Sequence, residues 1–429
     1  MGVPGHRLDA MFNPKTVVVV GDKGPNYMWL QNNMPFKEKG GNLYSVQLDA
    51  KEIEGIEKLG IQNFTSMADV PELIDYALVA VPRQVSPFIL KDLIAVGANG
   101  AAFFTSGFAE TGEELGIKLQ NTLVDMAKPA NFNLVGPNCM GLYLPKVGVR
   151  FNNDAPIADD GKIGFLSQSG THGIMFSLVA GANGMHLSRC ASFGNAVVLD
   201  VSDYVDYLMH DDETEVIGMY VEGARDGRRF FETLREACKR KAGCRLEEVA
   251  RRARAHGRRC HTPGSLASDQ AVWGGDDAPV RGHRHRQSRR NDRRHEGAYA
   301  RKASGWARRG TAHFKTGGQS VSITDAFAKQ GFDVARFTDK TYAELESFFN
   351  IIGGSFQNPL DMGGTVQGKT ETLQRILSIV EADENIDAIV MELSAMFAAR
   401  QWKAKPETLT DMLDTRRRTR KRAGSRSSP

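Results

Sequence analysis

The chain lacks any long apolar run. None of its hydrophobic stretches approaches the roughly 20 residues that span a bilayer as a helix, so no membrane insertion is expected. The opening residues MGVPGHRLDAMF have no apolar core of the kind a secretory signal needs. His6 stands where N-myristoylation requires Ser or Thr. Cysteine is scarce too: Cys139, Cys190, Cys238, Cys244 and Cys260 are scattered, and none form a C-x-x-C pair. That pattern argues against a zinc ribbon or a disulfide framework and fits a reducing, cytoplasmic compartment. No metal site is expected. Two familiar fingerprints are incomplete. Val20-Gly21-Asp22-Lys23-Gly24 is not a full G-x-G-x-x-G, which weakens a nicotinamide-dependent dehydrogenase. Ser167-Gln168-Ser169-Gly170 lacks the G-x-S-x-G spacing of a hydrolase elbow.

What is present alternates between strand and helix. Thr16–Val20, Asn42–Leu48, Tyr76–Val81 and Gly100–Thr105 read as buried strands. Between them, Val85, Phe88, Ile89 and Val96 suit one helical face, and Leu115, Leu119, Leu123 and Met126 suit another. Near-continuous apolar strands separated by amphipathic helices predict an α/β fold, a parallel sheet covered on both faces. A second unit begins after the Asp154–Gly161 linker. It has strands at Lys162–Leu166 and Val216–Val221 and an apolar helix carrying Ile174, Met175, Leu178 and Val179. A third is readable from Gly318, with Ile323 and Phe327 on a helix and strands at Asp333–Phe337 and Ala388–Glu392. Leu373, Ile376, Leu377 and Val380 form a helical stripe there.

Between the second and third units the composition breaks. From Arg245 to His313 there are 16 Arg, one Lys, six of the ten His, and no Ile, Phe or Met. This segment carries 17 basic and 7 acidic residues, and Arg416–Pro429 adds seven basic ones. The whole chain has a net charge of only +4, so the remainder is acidic. The basic balance therefore gives no ground for nucleic-acid binding, and the basic stretches lack interleaved aromatics.

Ligands of such sheets sit at the carboxyl ends of the strands, and the candidate residues cluster there. The Gly21-Asp22-Lys23 turn could offer backbone amides to a phosphate, or simply end a strand. Ser106-Gly107-Phe108-Ala109-Glu110 and Gly136-Pro137-Asn138-Cys139 are small-residue loops that would let a ligand approach the backbone. Cys139 reads as a buried structural thiol rather than a nucleophile. Ser167–Thr171 suits an anion at a helix N-terminus or a plain N-cap. Glu222 ends a strand, where it could do chemistry or cap the next helix. His261, in Cys260-His261-Thr262-Pro263-Gly264-Ser265-Leu266-Ala267, is an imidazole within the basic segment.

Taken in order, S-G-F-A-E-T-G-E-E, V-G-P-N-C-M-G, S-Q-S-G, S-F-G-N, Y-V-E-G and N-P-L-D resemble the α part of the NDP-forming acyl-CoA synthetases, relatives of succinyl-CoA synthetase. The resemblance covers about Phe12–Arg240 and Gly318–Thr415. It implies a CoA-binding Rossmann-type domain (1–145) followed by two flavodoxin-like doubly wound domains (156–316 and 317–415), the first of them interrupted by the Arg-rich segment, and a basic tail (416–429). It also implies the reaction acyl-CoA + phosphate + ADP ⇌ carboxylic acid + CoA + ATP, through an acyl phosphate and a phosphohistidine. Gly21, Asp22, Lys23, Val81, Pro82, Ser106, Gly107, Phe108, Glu110, Pro137, Asn138 and Cys139 would then hold coenzyme A. Ser167, Gln168, Ser169, Gly170, Gly194 and Asn195 would flank the acyl phosphate. His261 would be the phosphohistidine and Glu222 its hydrogen-bonding carboxylate. ATP/ADP with Mg would lie on an ATP-grasp β subunit or on a missing C-terminal domain. The expected assembly is an oligomer acting on a small carboxylic acid, without nucleic acid or membrane.

The chain departs from the family pattern in three places. Gln47-Leu48 replace an Asn-Pro, Cys260 replaces a Ser, and Pro263 is inserted beside His261. The Arg-rich segment, about Ala242–Thr316, reads as translated largely in a shifted frame around a short island near Ser265–Trp273. Codons for Ala242–Glu248 can be chosen that, moved one base, read Pro-Val-Val-Val-Trp-Lys. Those for Gly274–Ala298 can read ATMRQSGAIVTDSLDETIDAMKAL, a strand and an amphipathic helix. The alternative product is a CoA-binding, non-catalytic homologue. Sequencing the coding DNA across codons 242–317 is expected to recover these strings in the shifted frame; bases unable to encode them would refute it.

Overall fold

The computed structural model describes residues 2–241, 243–248, 309–314, 333–352, 354–366 and 370–391. The chain divides into two compact units, 1–250 with 258–288, and 251–257 with 289–429. His261, the helix bearing Ile323 and Phe327, and the basic tail lie outside the described residues.

The first unit holds two sheets. Strands β1 (Thr16–Val20), β2 (Asn42–Val46), β3 (Gln62–Phe64), β4 (Tyr76–Val79), β5 (Gly100–Phe103) and β6 (Asn133–Val135) form one sheet in the order β3-β2-β1-β4-β5-β6. All its pairings are parallel. The order reverses between β1 and β4, so the crevice for a ligand opens at their carboxyl ends. The reason for the two-sided burial is visible in β1. Val17 and Val19 face one core, Val18 and Val20 the other. Each buried valine contributes roughly 1.5–3 kcal/mol.

Strands β7 (Gly141–Tyr143), β8 (Ile163–Ser167), β9 (Leu187–Ser192), β10 (Val216–Val221) and β11 (Gly243–Glu248) form the second sheet, in the order β11-β10-β8-β9-β7. Setting β7 aside, the strands run in the doubly wound flavodoxin order. The strand β7 pairs antiparallel with β9, which makes the sheet mixed. It leaves the first sheet's last strand and joins the second.

Several helical faces differ from those the periodicity suggests. On helix Ser86–Ala95, Leu90 and Leu93 are buried whereas Val85 and Phe88 are exposed. On helix Gly170–Ala182 the buried positions are Gly173, Ser177 and Ala180, and Val179 faces solvent. Small residues face the sheet there because the helix packs close to it: a Cβ on Gly173 would lie 3.7 Å from the Cβ of Ser167. Leu115 is exposed on helix Glu114–Ala127, while Leu123 is buried. Strands expected to reach Leu48, Val81 and Thr105 stop earlier, at Val46, Val79 and Phe103, which lengthens the loops at the ligand edge.

In the second unit, β12 (Arg309–Phe314) pairs in parallel with β13 (Asp333–Val334), β14 (Leu360–Asp361) and β15 (Ala388–Met391). The stripe Leu373, Ile376, Leu377 and Val380 on helix Thr370–Glu381 is buried as its spacing predicts. Among the described residues no helix is long and apolar enough to cross a membrane.

A buried charge cluster joins the N-terminal segment to the second sheet. Arg189 of β9 is 3% exposed and lies in a bidentate arrangement with the fully buried Asp211, at 2.9 and 3.3 Å. The same guanidinium donates to the Phe12 carbonyl at 2.8 Å and to Asn13 Oδ1 at 3.1 Å. Tyr207 stacks on Phe12 with ring centroids 4.5 Å apart. Replacing Arg189 by Met leaves a buried carboxylate without its cation. A loss of about 3–5 kcal/mol is expected from urea unfolding, and Arg189→Lys should not recover it because an ammonium cannot form the fork. A loss below about 1 kcal/mol would contradict this account.

Candidate active site

Three glycine turns line the ligand edge of the first sheet. Gly21, Gly107 and Gly136 all have positive φ. At Gly21 the need is steric as well, since a Cβ would stand 2.5 Å from Val81 Cγ1. The neighbouring candidates divide into those on the edge and those beneath it. Lys23 and Pro82 are exposed. Asp22 is buried and accepts from the Leu30 amide at 2.9 Å and the Lys23 amide at 3.1 Å. Burial raises its carboxyl pKa and the backbone amides lower it, with burial the larger effect. Asp22 thus ties the turn after β1 to the helix Met28–Asn32. Gln47, at the departure from the family pattern, is also buried. Its amide donates to the Asp22 carbonyl and its oxygen accepts from the Leu48 and Asp49 amides.

The loop after β5 is cross-braced. Glu110 Oε1 accepts from the Gly107 amide at 2.5 Å and the Phe108 amide at 3.1 Å. Arg83, 8% exposed, donates to the Gly107 carbonyl and pairs with Glu113 at 2.7 Å. Phe108 is fully buried. Cys139 is buried beneath the next loop, its thiol directed at the Phe103 and Val135 carbonyls. Burial pushes its pKa up to about 12. Asp22, Phe108 and Cys139 are thus the buried members of this set of candidates and underlie the loops of the edge.

The second sheet presents its own edge. Ser169 caps helix Gly170–Ala182, accepting from the His172 amide at 3.4 Å. Ser167 Oγ donates to the Ser169 carbonyl at 2.6 Å. Gln168 Oε1 accepts from the amides of Glu222 and Gly223, pinning the end of β10. Glu222 accepts from Tyr220 Oη at 3.3 Å. The helix cap it could have supplied is supplied by Asp226, which accepts from the Arg229 amide. His172 stacks on Tyr220 at 4.1 Å. Its pKa is lowered by burial, against the opposing charge of Glu222, which favours a neutral imidazole.

The two edges meet. Gly194, with φ +50°, brings its turn so close that a Cβ would lie 2.2 Å from the Asn138 carbonyl oxygen and 2.4 Å from that of Pro137. The Asn195 amide donates to the Pro137 carbonyl at 3.0 Å, and its side chain donates to Glu110 Oε2 at 2.6 Å and to Gln120 Oε1 at 3.0 Å. The structure therefore gathers Glu110, Pro137, Asn138, Gly194 and Asn195 into one seam. Ser167–Gly170 stands near it, through the Gly170 position, where a Cβ would sit 2.8 Å from Met140 Cγ. The sequence reading missed Arg83, Gln120 and His172. Arg83 directly follows Val81-Pro82, and His172 directly follows the Ser167–Thr171 turn, so adjacency was the available signal.

A CoA binding domain model matches residues 15–145, and a succinyl-CoA ligase like flavodoxin domain model matches residues 160–275, a span that includes His261. These define a class of protein in which a CoA-binding Rossmann-type domain is joined to a succinyl-CoA ligase-type flavodoxin domain. Both domains stand in this chain, and its relatives include ADP-forming acetate–CoA ligases and their α subunits. It is 29% identical to the ADP-forming acetate–CoA ligase I of Archaeoglobus fulgidus over 399 residues, covering 90% of this chain and 55% of that one. It is 28% identical to the α subunit of the ADP-forming acetate–CoA ligase II of Pyrococcus furiosus over 389 residues, covering 89% and 81%. The chain thus spans about half the length of the Archaeoglobus protein and most of the Pyrococcus subunit. Its fold is similar to that of a dinucleotide-forming acetyl-coenzyme A synthetase from Ca. Korarchaeum cryptofilum solved with phosphate and ADP. The TM-score is 0.57 at 22% identity, covering 96% of this chain and 86% of that one.

Gly194→Ala should destabilise the first unit by at least about 2 kcal/mol, combining strain at positive φ with a steric clash. Thermal unfolding measures it, and a wild-type melting temperature would show that the two loops are not held in contact.

Proposed function

We propose that this chain is the CoA-binding and phosphohistidine portion of an NDP-forming acyl-CoA synthetase. It acts on a small carboxylic acid such as acetate and works with an ATP-grasp partner that carries ADP/ATP and Mg. The observation that carries the reading is the seam: glycine-lined turns of the first sheet touch the Gly194-Asn195 turn of the second, beside the capped helix end at Ser169-Gly170. A thioester laid along the first edge would present its carbonyl near an anion held at the second. Backbone amides and the positive helix end suit phosphate there. A phosphate oxygen attacks the thioester carbonyl carbon, the C–S bond breaks, and CoA leaves with a proton as the thiol. The imidazole of His261 then attacks phosphorus, the P–O bond to the acyl group breaks, and the carboxylate is released. The phosphohistidine passes its phosphoryl group to the nucleoside diphosphate on the partner. Glu222, fixed by Gln168 at the end of β10, would orient the imidazole. The names of the Pyrococcus relatives as α subunits support a separate partner chain. The expectations of a cytoplasmic location and an oligomer belong to the same reading.

The composition break at Arg245–His313 favours a second reading, a CoA-binding homologue that does not turn over. One experiment separates them. The full chain is incubated with acetyl-CoA and radiolabelled phosphate. The synthetase reading expects a base-stable, acid-labile label on His261, abolished by His261→Asn and slowed roughly 10²-fold by Glu222→Gln. CoA binding without label selects the second reading. Absence of CoA binding overturns both.

A further inference from the structure

The amides of Gly107 and Phe108 form a small anion-binding nest at the end of β5, and an internal carboxylate, Glu110 Oε1, already fills it. The other oxygen of Glu110 crosses to the second sheet and accepts from Asn195 Nδ2. Asn195 Oδ1 in turn accepts from Asn138 Nδ2 at 3.3 Å. Donors and acceptors are therefore fixed in one direction along the seam. Asn138 donates to Asn195, and Asn195 donates to Glu110. Glu110 holds two amides of its own loop, and Arg83 braces that loop at Gly107 and Glu113.

We infer that Glu110 is a positioning residue, not a ligand of coenzyme A: it locks the loop after β5 of the first sheet to the Gly194-Asn195 turn of the second. This rests on the CoA-binding reading only for what the loop carries; the coupling itself stands on the hydrogen bonds. An anionic ligand entering the nest would have to expel a carboxylate that holds both loops. The loop therefore meets CoA with other surfaces, and Glu110 sets its distance from the phosphate edge.

The polarity of the chain of bonds gives a test. In Glu110→Gln the side-chain oxygen must keep the two amides, so its NH2 opposes the NH2 of Asn195. In Asn195→Asp two carboxylates oppose each other. The double variant Glu110→Gln/Asn195→Asp restores every donor–acceptor match and the net charge, with Gln120 able to turn its amide and donate. Amide hydrogen exchange on the full chain without ligand should rise about tenfold at residues 106–113 and 194–197 in each single variant. It should return to within about twofold of wild type in the double variant. Exchange unchanged in the single variants, or not recovered in the double, overturns the coupling. Calorimetric titration with CoA is the second arm. Affinity lost in Glu110→Gln and recovered in the double variant supports positioning. Exchange recovered while CoA affinity stays lost makes Glu110 a direct ligand and overturns the inference. A wild-type chain that binds no CoA, yet shows the expected exchange pattern, sinks the CoA reading while supporting the coupling.

Discussion

The seam between the two sheets depends on how closely one turn can approach one loop. Two sheets with separate connectivity bring their carboxyl ends into contact there, and a single side chain at Gly194 would hold them apart. Because nothing projects from that position, the Asn195 backbone can donate to the Pro137 carbonyl and its side chain can reach Glu110. The contact is made largely of backbone and short polar groups, which are directional. It therefore fixes orientation more than it adds stability.

Stability comes from a different place. The core that includes Val17, Val19, Phe165, Phe193, Tyr204 and Tyr207 runs continuously under both sheets. Arg189 adds a desolvated hub that grips the N-terminal segment through the Phe12 carbonyl and Asn13. A buried ion pair of this kind is weak evidence of net stabilisation, but it is costly to break. Its contacts tie Phe12 and Asn13 to β9.

Much of this was legible in the sequence. The run Thr16–Val20 announced a strand buried on both faces, and the ordered motifs from Ser106 to Glu222 announced the two domains and their edges. What periodicity could not give was which helical face packs. Phe88 and Val179 are apolar yet exposed, while Gly173 and Ser177 are buried, because close helix–sheet approach selects small residues over large ones. Nor could motif membership separate the exposed residues of the loops from those buried beneath them. Asp22, Phe108 and Cys139 sit inside binding motifs and are buried. The distinction depends on side-chain direction, which a string of letters does not carry. His261 lies where composition breaks, and the role proposed for it rests on the motif around it.

The strand β7 has a dual allegiance. By chain order Gly141–Tyr143 closes the first sheet's domain, and the Leu142 amide donates to Tyr76 Oη of β4 at 3.0 Å. By ladder bonding it is the edge of the second sheet, antiparallel to β9. A gene cut at the linker near Asp154 would thus separate two fragments, neither whole. The downstream piece would carry β9 as a naked edge, open to pairing with other chains. The two sheets thus share a strand's worth of contacts and form one structural unit.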